Sequence, residues 1–245
     1  MTRRAPLFLF VVVTALIVYF TTHGLPLAAR LWTVVLVAGL PPLSVLQARA
    51  LAEVALPSRL ALYAQTSISL WLLAGVTAAV AVLSDISARG LGLFTLPLVP
   101  TLLWTGSLTL AAVGLQLLAH RLGVRESAIL AGLLPRTSGE RLAFLGVSIS
   151  AGVCEEIVFR GFLIPAVAVA VGSPVVAAVI AAAVFGLLHA YQDFSGALRA
   201  ALLGAVLSTV LLATGSIVPA ILAHVLIDVI GGFWLGPRLV DQDGA

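Results

Sequence analysis

The chain has 245 residues, of which 61% are hydrophobic and 9% charged, and its mean hydropathy is +1.18. Soluble domains carry about 25% charged residues, so this composition excludes an ordinary soluble protein and points to a polytopic membrane protein. The net charge is +3 and all 13 basic residues are arginines, so the pI of 9.8 reports loop arginines and topology, with no nucleic-acid-binding surface implied.

About twenty apolar residues span the hydrocarbon core of a bilayer, and Arg, Pro and Gly punctuate the chain into eight candidates of about that length. They fall near 5–22, 31–48, 62–83, 94–119, 142–164, 174–191, 197–214 and 216–236. The first follows Arg3 and Arg4 with no small-residue cleavage site behind it and is expected to be a retained helix, not a signal peptide. Pro41 and Pro42 weaken the second, and Pro97 and Pro100 the fourth, so kinks or interfacial stretches are expected there. The fold class is therefore an all-α polytopic integral membrane bundle of about eight helices.

The arginines test this count. With the N-terminus inside, Arg3, Arg4, Arg49, Arg59, Arg121, Arg125, Arg136, Arg141, Arg199 and Arg238 fall on the inner side, against Arg30 and Arg89 outside. That bias predicts both termini in the cytoplasm. The most polar connection, from His120 to Arg141, carries Glu126 and Glu140. It separates an N-terminal unit of about four spans (1–140) from a C-terminal unit (141–238) that holds the intramembrane charge. Residues 239–245 read as a short solvated tail. The arginine-only, alanine-rich composition suits a bacterium with a GC-rich genome, and hence a bacterial cytoplasmic (inner) membrane.

The run from Glu155 to Arg160 puts three formal charges into a very apolar segment. An intramembrane charge costs at least ~2.5 kcal/mol, so such residues are functional candidates by default. Glu156 and Arg160 are four apart and share a helix face, whereas Glu155 is turned about 100° away from Glu156. The spacing makes Glu156 with Arg160 a mutually neutralised, supporting pair and leaves Glu155 to face something else. Two more ionisable groups sit in later spans, His189 at the end of Phe185-Gly-Leu-Leu-His189 and His224 at the start of His224-Val-Leu-Ile-Asp228. His224 and Asp228 are again four apart, a spacing that lets the carboxylate orient the imidazole or join it around a metal or water. Each histidine alone reads as a core histidine bonded to a backbone carbonyl. Three helices together, each pointing acid or base chemistry inward, read as an active site within a bundle. Depth is the weak point: counting ~1.5 Å per residue, Glu155 lies about 20 Å and His224 about 18 Å from the inner face, but His189 only about 8 Å. Helix tilt, or a fifth span that begins in the interface with breaks near Gly161 and Pro165, would absorb the difference.

The three segments, in this order and at these separations, resemble the motifs of the CAAX protease and bacteriocin-processing family (CPBP, or Abi) of intramembrane endopeptidases, over residues from about 141 to 236. The resemblance implies an all-helical membrane fold and endopeptidase activity. It implies that Glu155 activates the attacking water and that His189 and His224 complete the catalytic centre, with Glu156 and Arg160 supporting them. Asp228 matches a position where the prenyl endopeptidases have asparagine, which alters an oxyanion-stabilising role or favours a metal.

The leading expectation is peptide-bond hydrolysis in or near the membrane, on membrane-associated or lipidated substrates, without a covalent intermediate. Two versions stay open: one divalent metal ion, zinc, held by His189, His224, Glu155 and Asp228, or no metal and Glu155 as the base. Cys154 is expected to turn away from the face of Glu155. Competing readings are a non-proteolytic scaffold or bacteriocin-immunity protein of the same fold, and a proton-coupled transporter. The expected partners are the bilayer and a peptide or protein substrate; neither substrate identity nor oligomeric state is legible.

Overall fold

The computed structural model describes residues 5–51, 57–124 and 128–243, with side chains from Phe8 to Ala48, from Pro57 to Val124 and from Ile129 to Leu239. Arg3, Arg4, Arg125 and Glu126 lie outside the described residues. Helices account for nearly all of it: α1 (Ala5–Thr21), α2 (Leu27–Val34), α3 (Leu40–Leu51), α4 (Arg59–Leu83), α5 (Leu98–Arg121), α6 (Ala128–Leu133), α7 (Ser138–Glu155), α8 (Ile164–Val171), α9 (Pro174–Leu188), α10 (Asp193–Thr214), α11 (Val218–Ile230) and α12 (Gly236–Asp243). No strand occurs among the described residues. Six described stretches are long and apolar enough to cross a membrane, namely Leu27–Ala48, Arg59–Leu83, Leu98–Arg121, Ser138–Val171, Ala190–Thr214 and Val218–Leu239. The expected first and sixth spans are apolar but shorter, as Phe8–Thr21 and Pro174–Leu188. The large apolar side chains left exposed, such as Leu72, Leu103, Leu110 and Val179, suit a lipid-facing surface.

Where prolines fall inside the apolar runs, the helix widens and does not break. Val35–Gly39 is a π-helical turn just before Pro41 and Pro42, and Glu156–Leu163 is another just before Pro165. A proline lacks the N–H and crowds the carbonyl four residues back, and the i→i+5 pattern of a π turn accommodates both. The breaks expected at Gly161 and Pro165 are thus one continuous 34-residue helical run, Ser138–Val171. Pro97, by contrast, is the N-cap of α5, which begins later than the expected span because the preceding loop is held elsewhere. Gly92, with φ +73°, accepts from the amide of Ile217 at 3.0 Å, and Ser216 Oγ donates to Phe94 O at 2.6 Å. The polar connection contains a short helix, α6, that periodicity does not reveal.

Each helix of the N-terminal half docks on an element of the C-terminal half. Ser44 Oγ of α3 donates to Leu188 O at 2.8 Å, satisfying a carbonyl at the open end of α9. Trp71 Nε1 of α4 donates to Ser150 Oγ of α7 at 3.1 Å, and Thr105 of α5 donates to Pro219 O of α11 at 3.4 Å. One buried cluster gathers Leu36, Phe159, Phe162, Val184 and Phe185, and a second gathers Leu108, Leu207, Val210 and Ile227. α7 and its π extension therefore sit between α4 and the elements that carry the other charged motifs, α9 and α11.

Candidate active site

α7 starts at a capping box, in which Thr137 accepts from the Glu140 amide and Glu140 accepts from the Thr137 amide. Arg59 of α4 lies 3.5 Å from Glu140 and donates to Gly132 O at 2.8 Å, so the start of α7 is pinned to α4 and α6. Glu155 comes 17 residues after Ser138, ~26 Å along the helix. It ends the α-helical part, and Glu156 begins the π turn. Their side chains go to different places. Glu156 is fully buried, whereas Glu155 lines a cavity of about 340 Å³ together with His189, Tyr191, His224 and Asp228. Cys154 is buried and does not line it.

Glu156 Oε1 accepts two hydrogen bonds, from Arg160 at 2.8 Å and from Nδ1–H of His224 at 2.8 Å. Arg160 also donates to Gly204 O at 3.1 Å and stacks its guanidinium 4.9 Å from the centre of the Phe185 ring. Four-residue spacing anticipates the Glu156–Arg160 pair, and for Asp228 it leaves open orienting His224 or joining it around a metal or water. Asp228 Oδ1 is 3.9 Å from Nε2 of His224, beyond hydrogen-bond range, and Glu156 on another helix holds Nδ1. A carboxylate already bonded to arginine accepts, so His224 carries a proton on Nδ1 and turns Nε2 towards the cavity. There it faces Glu155, whose Oε2 is 3.7 Å away.

His189 reaches the same cavity by a different route. α9 stops at Leu188, and the chain passes through His189 into a 3-10 turn, Ala190–Gln192, before Asp193, at φ +70°, opens α10. Nδ1–H of His189 donates to Phe185 O at 2.8 Å, the backbone bond expected of a core histidine, which leaves Nε2 as an acceptor. The Phe185 ring lies 4.5 Å from the His189 ring and 6.3 Å from that of His224, so it spaces the two imidazoles. Glu155, His189 and His224 line one cavity, so the depth difference expected from counting residues does not keep them apart.

The donor arrangement does not fit a zinc ion. Two ligands of one tetrahedral zinc at ~2.1 Å stand no more than about 3.5 Å apart. Here Glu155 and Asp228 are 3.7 and 3.9 Å from Nε2 of His224, and among the described residues no three His, Cys, Asp or Glu side chains converge on one point. The spacing suits a water bonded between them.

Tyr191 and Gln192 are site residues that the sequence reading misses. Tyr191 lines the cavity with its ring 6.0 Å from that of His189, and Gln192 Nε2 donates to its hydroxyl oxygen at 3.0 Å. Both sit in a single 3-10 turn, which leaves no periodic pattern to read.

A buried carboxylate–imidazole pair facing a second carboxylate across a cavity, inside a polytopic helical membrane protein, defines a site suited to acid–base chemistry. Residues 137–230 match the model of the family described as type II CAAX prenyl endopeptidase Rce1-like, consistent with the CPBP resemblance of the three motifs. The matched region contains Glu155, Glu156, Arg160, His189, His224 and Asp228. Searches of the curated proteins and of the solved structures return no significant match.

Proposed function

We propose that the chain is an intramembrane endopeptidase of the CAAX-protease type, which hydrolyses a peptide bond of a membrane-associated or lipidated substrate with water activated by Glu155. The observation that carries this reading is the placement of Glu155 Oε2 3.7 Å from Nε2 of His224, with the N–H of both imidazoles already given to fixed acceptors. A water between these groups donates one proton to the Glu155 carboxylate, and its oxygen attacks the carbonyl carbon. The C–O bond forms as the carbonyl π pair moves onto oxygen. When the tetrahedral intermediate collapses, the C–N bond breaks and the proton held by Glu155 passes to the leaving nitrogen, giving a carboxylic acid and an amine. His189 and His224, each turning Nε2 to the cavity, hydrogen-bond the water and the substrate.

The rest of the cavity supports a substrate with a long apolar part. Ala151, Val147 and Phe144 line it on the same face of α7 as Glu155, a distance of 11 residues or ~17 Å. In this reading the N-terminal helices are the support that docks on the three motif elements. The protein lies in a bacterial cytoplasmic membrane with both termini inside, and the arginine bias supports that orientation. The test uses protein reconstituted in vesicles with a quenched fluorescent peptide that carries a farnesylated cysteine near its C-terminus. Wild-type protein cleaves it, and Glu155→Gln, which keeps the shape of the side chain, reduces cleavage at least about 1,000-fold. Equal rates for the two proteins refute the reading. Peptides from membranes of wild-type and Glu155→Gln cells then identify the natural substrate.

A further inference from the structure

Peptide hydrolysis places a negative charge on the substrate oxygen, and a site that accelerates it aims a hydrogen-bond donor at that position. At the catalytic end of the cavity the Nδ1 protons of the imidazoles are already engaged. Glu155 and Asp228 are carboxylates, and His189 and His224 give their Nδ1 protons to Phe185 O and Glu156. Elsewhere along the wall, the hydroxyl of Tyr63 donates to Leu133 O, and Arg199 projects from α10.

Tyr191 differs from all of these. Its hydroxyl oxygen accepts from the Gln192 amide at 3.0 Å, which occupies a lone pair and directs the O–H away from Gln192. Its ring stands 6.0 Å from the His189 ring at an interplanar angle of 30°, on the same turn. Glu155 and Asp228 line the same cavity as Tyr191. The backbone holds it there, because Gln192 N donates to His189 O at 2.9 Å and the turn packs against α3.

We propose that Tyr191 is a catalytic residue whose phenolic O–H donates to the substrate oxygen as the tetrahedral intermediate forms, with Gln192 positioning the hydroxyl. No proton is transferred in this step: the O–H bond stays intact, and the hydrogen bond strengthens as charge develops. The role rests on the hydrolytic reading above. It also accounts for how a site with aspartate at position 228, where a carboxylate cannot donate, still meets the oxyanion.

The test is steady-state cleavage of the farnesylated reporter peptide by vesicle-reconstituted wild type, Tyr191→Phe, Arg199→Gln and Glu155→Gln, with thermal midpoints measured on each. Tyr191→Phe removes only the donor. The expected result is a fall in kcat of roughly 100-fold, the size of effect of losing one oxyanion donor, with KM and thermal midpoint unchanged. Protein carrying 3-fluorotyrosine in place of Tyr191, which keeps an O–H, retains turnover. The proposal is overturned if Tyr191→Phe keeps wild-type kcat, if its loss comes with a raised KM or a lowered midpoint, or if fluorotyrosine is as slow as phenylalanine. A loss of kcat confined to Arg199→Gln overturns it in favour of the guanidinium. Wild-type turnover in Glu155→Gln refutes the hydrolytic reading itself, an outcome distinct from all of these.

Discussion

Replacing Arg160 with methionine tests the assignment of Glu156 and Arg160 as the architectural pair of the site. Arg160 is 1% exposed and Glu156 0% exposed, so neither charge is relieved by solvent. The substitution removes the hydrogen bonds to Glu156 and Gly204 O and the stacking on Phe185 while keeping most of the side-chain volume. What remains is a fully buried carboxylate that still accepts from Nδ1–H of His224. Breaking a buried pair in this way costs about 3–5 kcal/mol, because the surviving charge is uncompensated. For a chain of this length each kcal/mol is worth about 2–4 °C, so the thermal midpoint in detergent falls by roughly 6–20 °C. The second arm carries the argument. The double variant Arg160→Met with Glu156→Gln removes the stranded charge, and it recovers at least about 2 kcal/mol of the loss if desolvation is the cause. The double variant also loses activity, since it no longer holds Nδ1 of His224 against an ionised carboxylate. Midpoints from ligand-free melts decide the matter: a single variant within about 1 kcal/mol of wild type, or a double variant less stable than the single, refutes the reasoning.

Chelation with EDTA or 1,10-phenanthroline is expected to leave peptide cleavage unchanged, and elemental analysis of purified protein to show less than stoichiometric zinc; loss of activity restored by zinc contradicts this. Gly186→Ala places a Cβ 2.6 Å from Ala197 O and 2.7 Å from Ala201 Cβ, where backbone cannot yield, so α9 separates from α10. The expected cost is about 1–3 kcal/mol in a thermal melt, with reduced turnover because His189 ends that helix. Ser44→Ala removes the bond to Leu188 O, and about 1 kcal/mol of stability is expected to go with it while the KM for the reporter peptide stays unchanged.

The helices were legible because lipid demands long apolar runs, and the pairing of Glu156 with Arg160 because four-residue spacing puts them on one face. The same argument separates Glu155 from Glu156, and the structure sends the two carboxylates to different surroundings. It fails where partners come from different helices. The bond between Glu156 and His224 joins residues 68 apart, and local spacing instead suggests Asp228, the neighbour one turn along. The end of α9 was misjudged for a related reason: Ala190 and Tyr191 are as compatible with helix as the residues before them. Tertiary ties such as Ser44 to Leu188 O hold the open end of that helix. The π turns were hidden because a widened helix keeps the apolar pattern of a straight one, and the prolines that it accommodates read as breaks.

The shortness of α9 has a consequence for the lipid around the protein. Its 15 residues reach only ~22 Å, whereas a hydrocarbon core is about 30 Å thick, and Val175, Val176, Val179 and Leu187 on it are exposed. A helix of that length crosses a bilayer only where the acyl chains shorten or tilt, which would thin the bilayer next to His189, the residue after it. A dent of that kind brings the headgroup layer, and with it the water that hydrolysis consumes, towards a site otherwise walled by apolar helices. Turnover should then respond to bilayer thickness, rising in vesicles of shorter-chain phosphatidylcholines and falling in longer ones, as a property of the solvent and not of any side chain in the cavity.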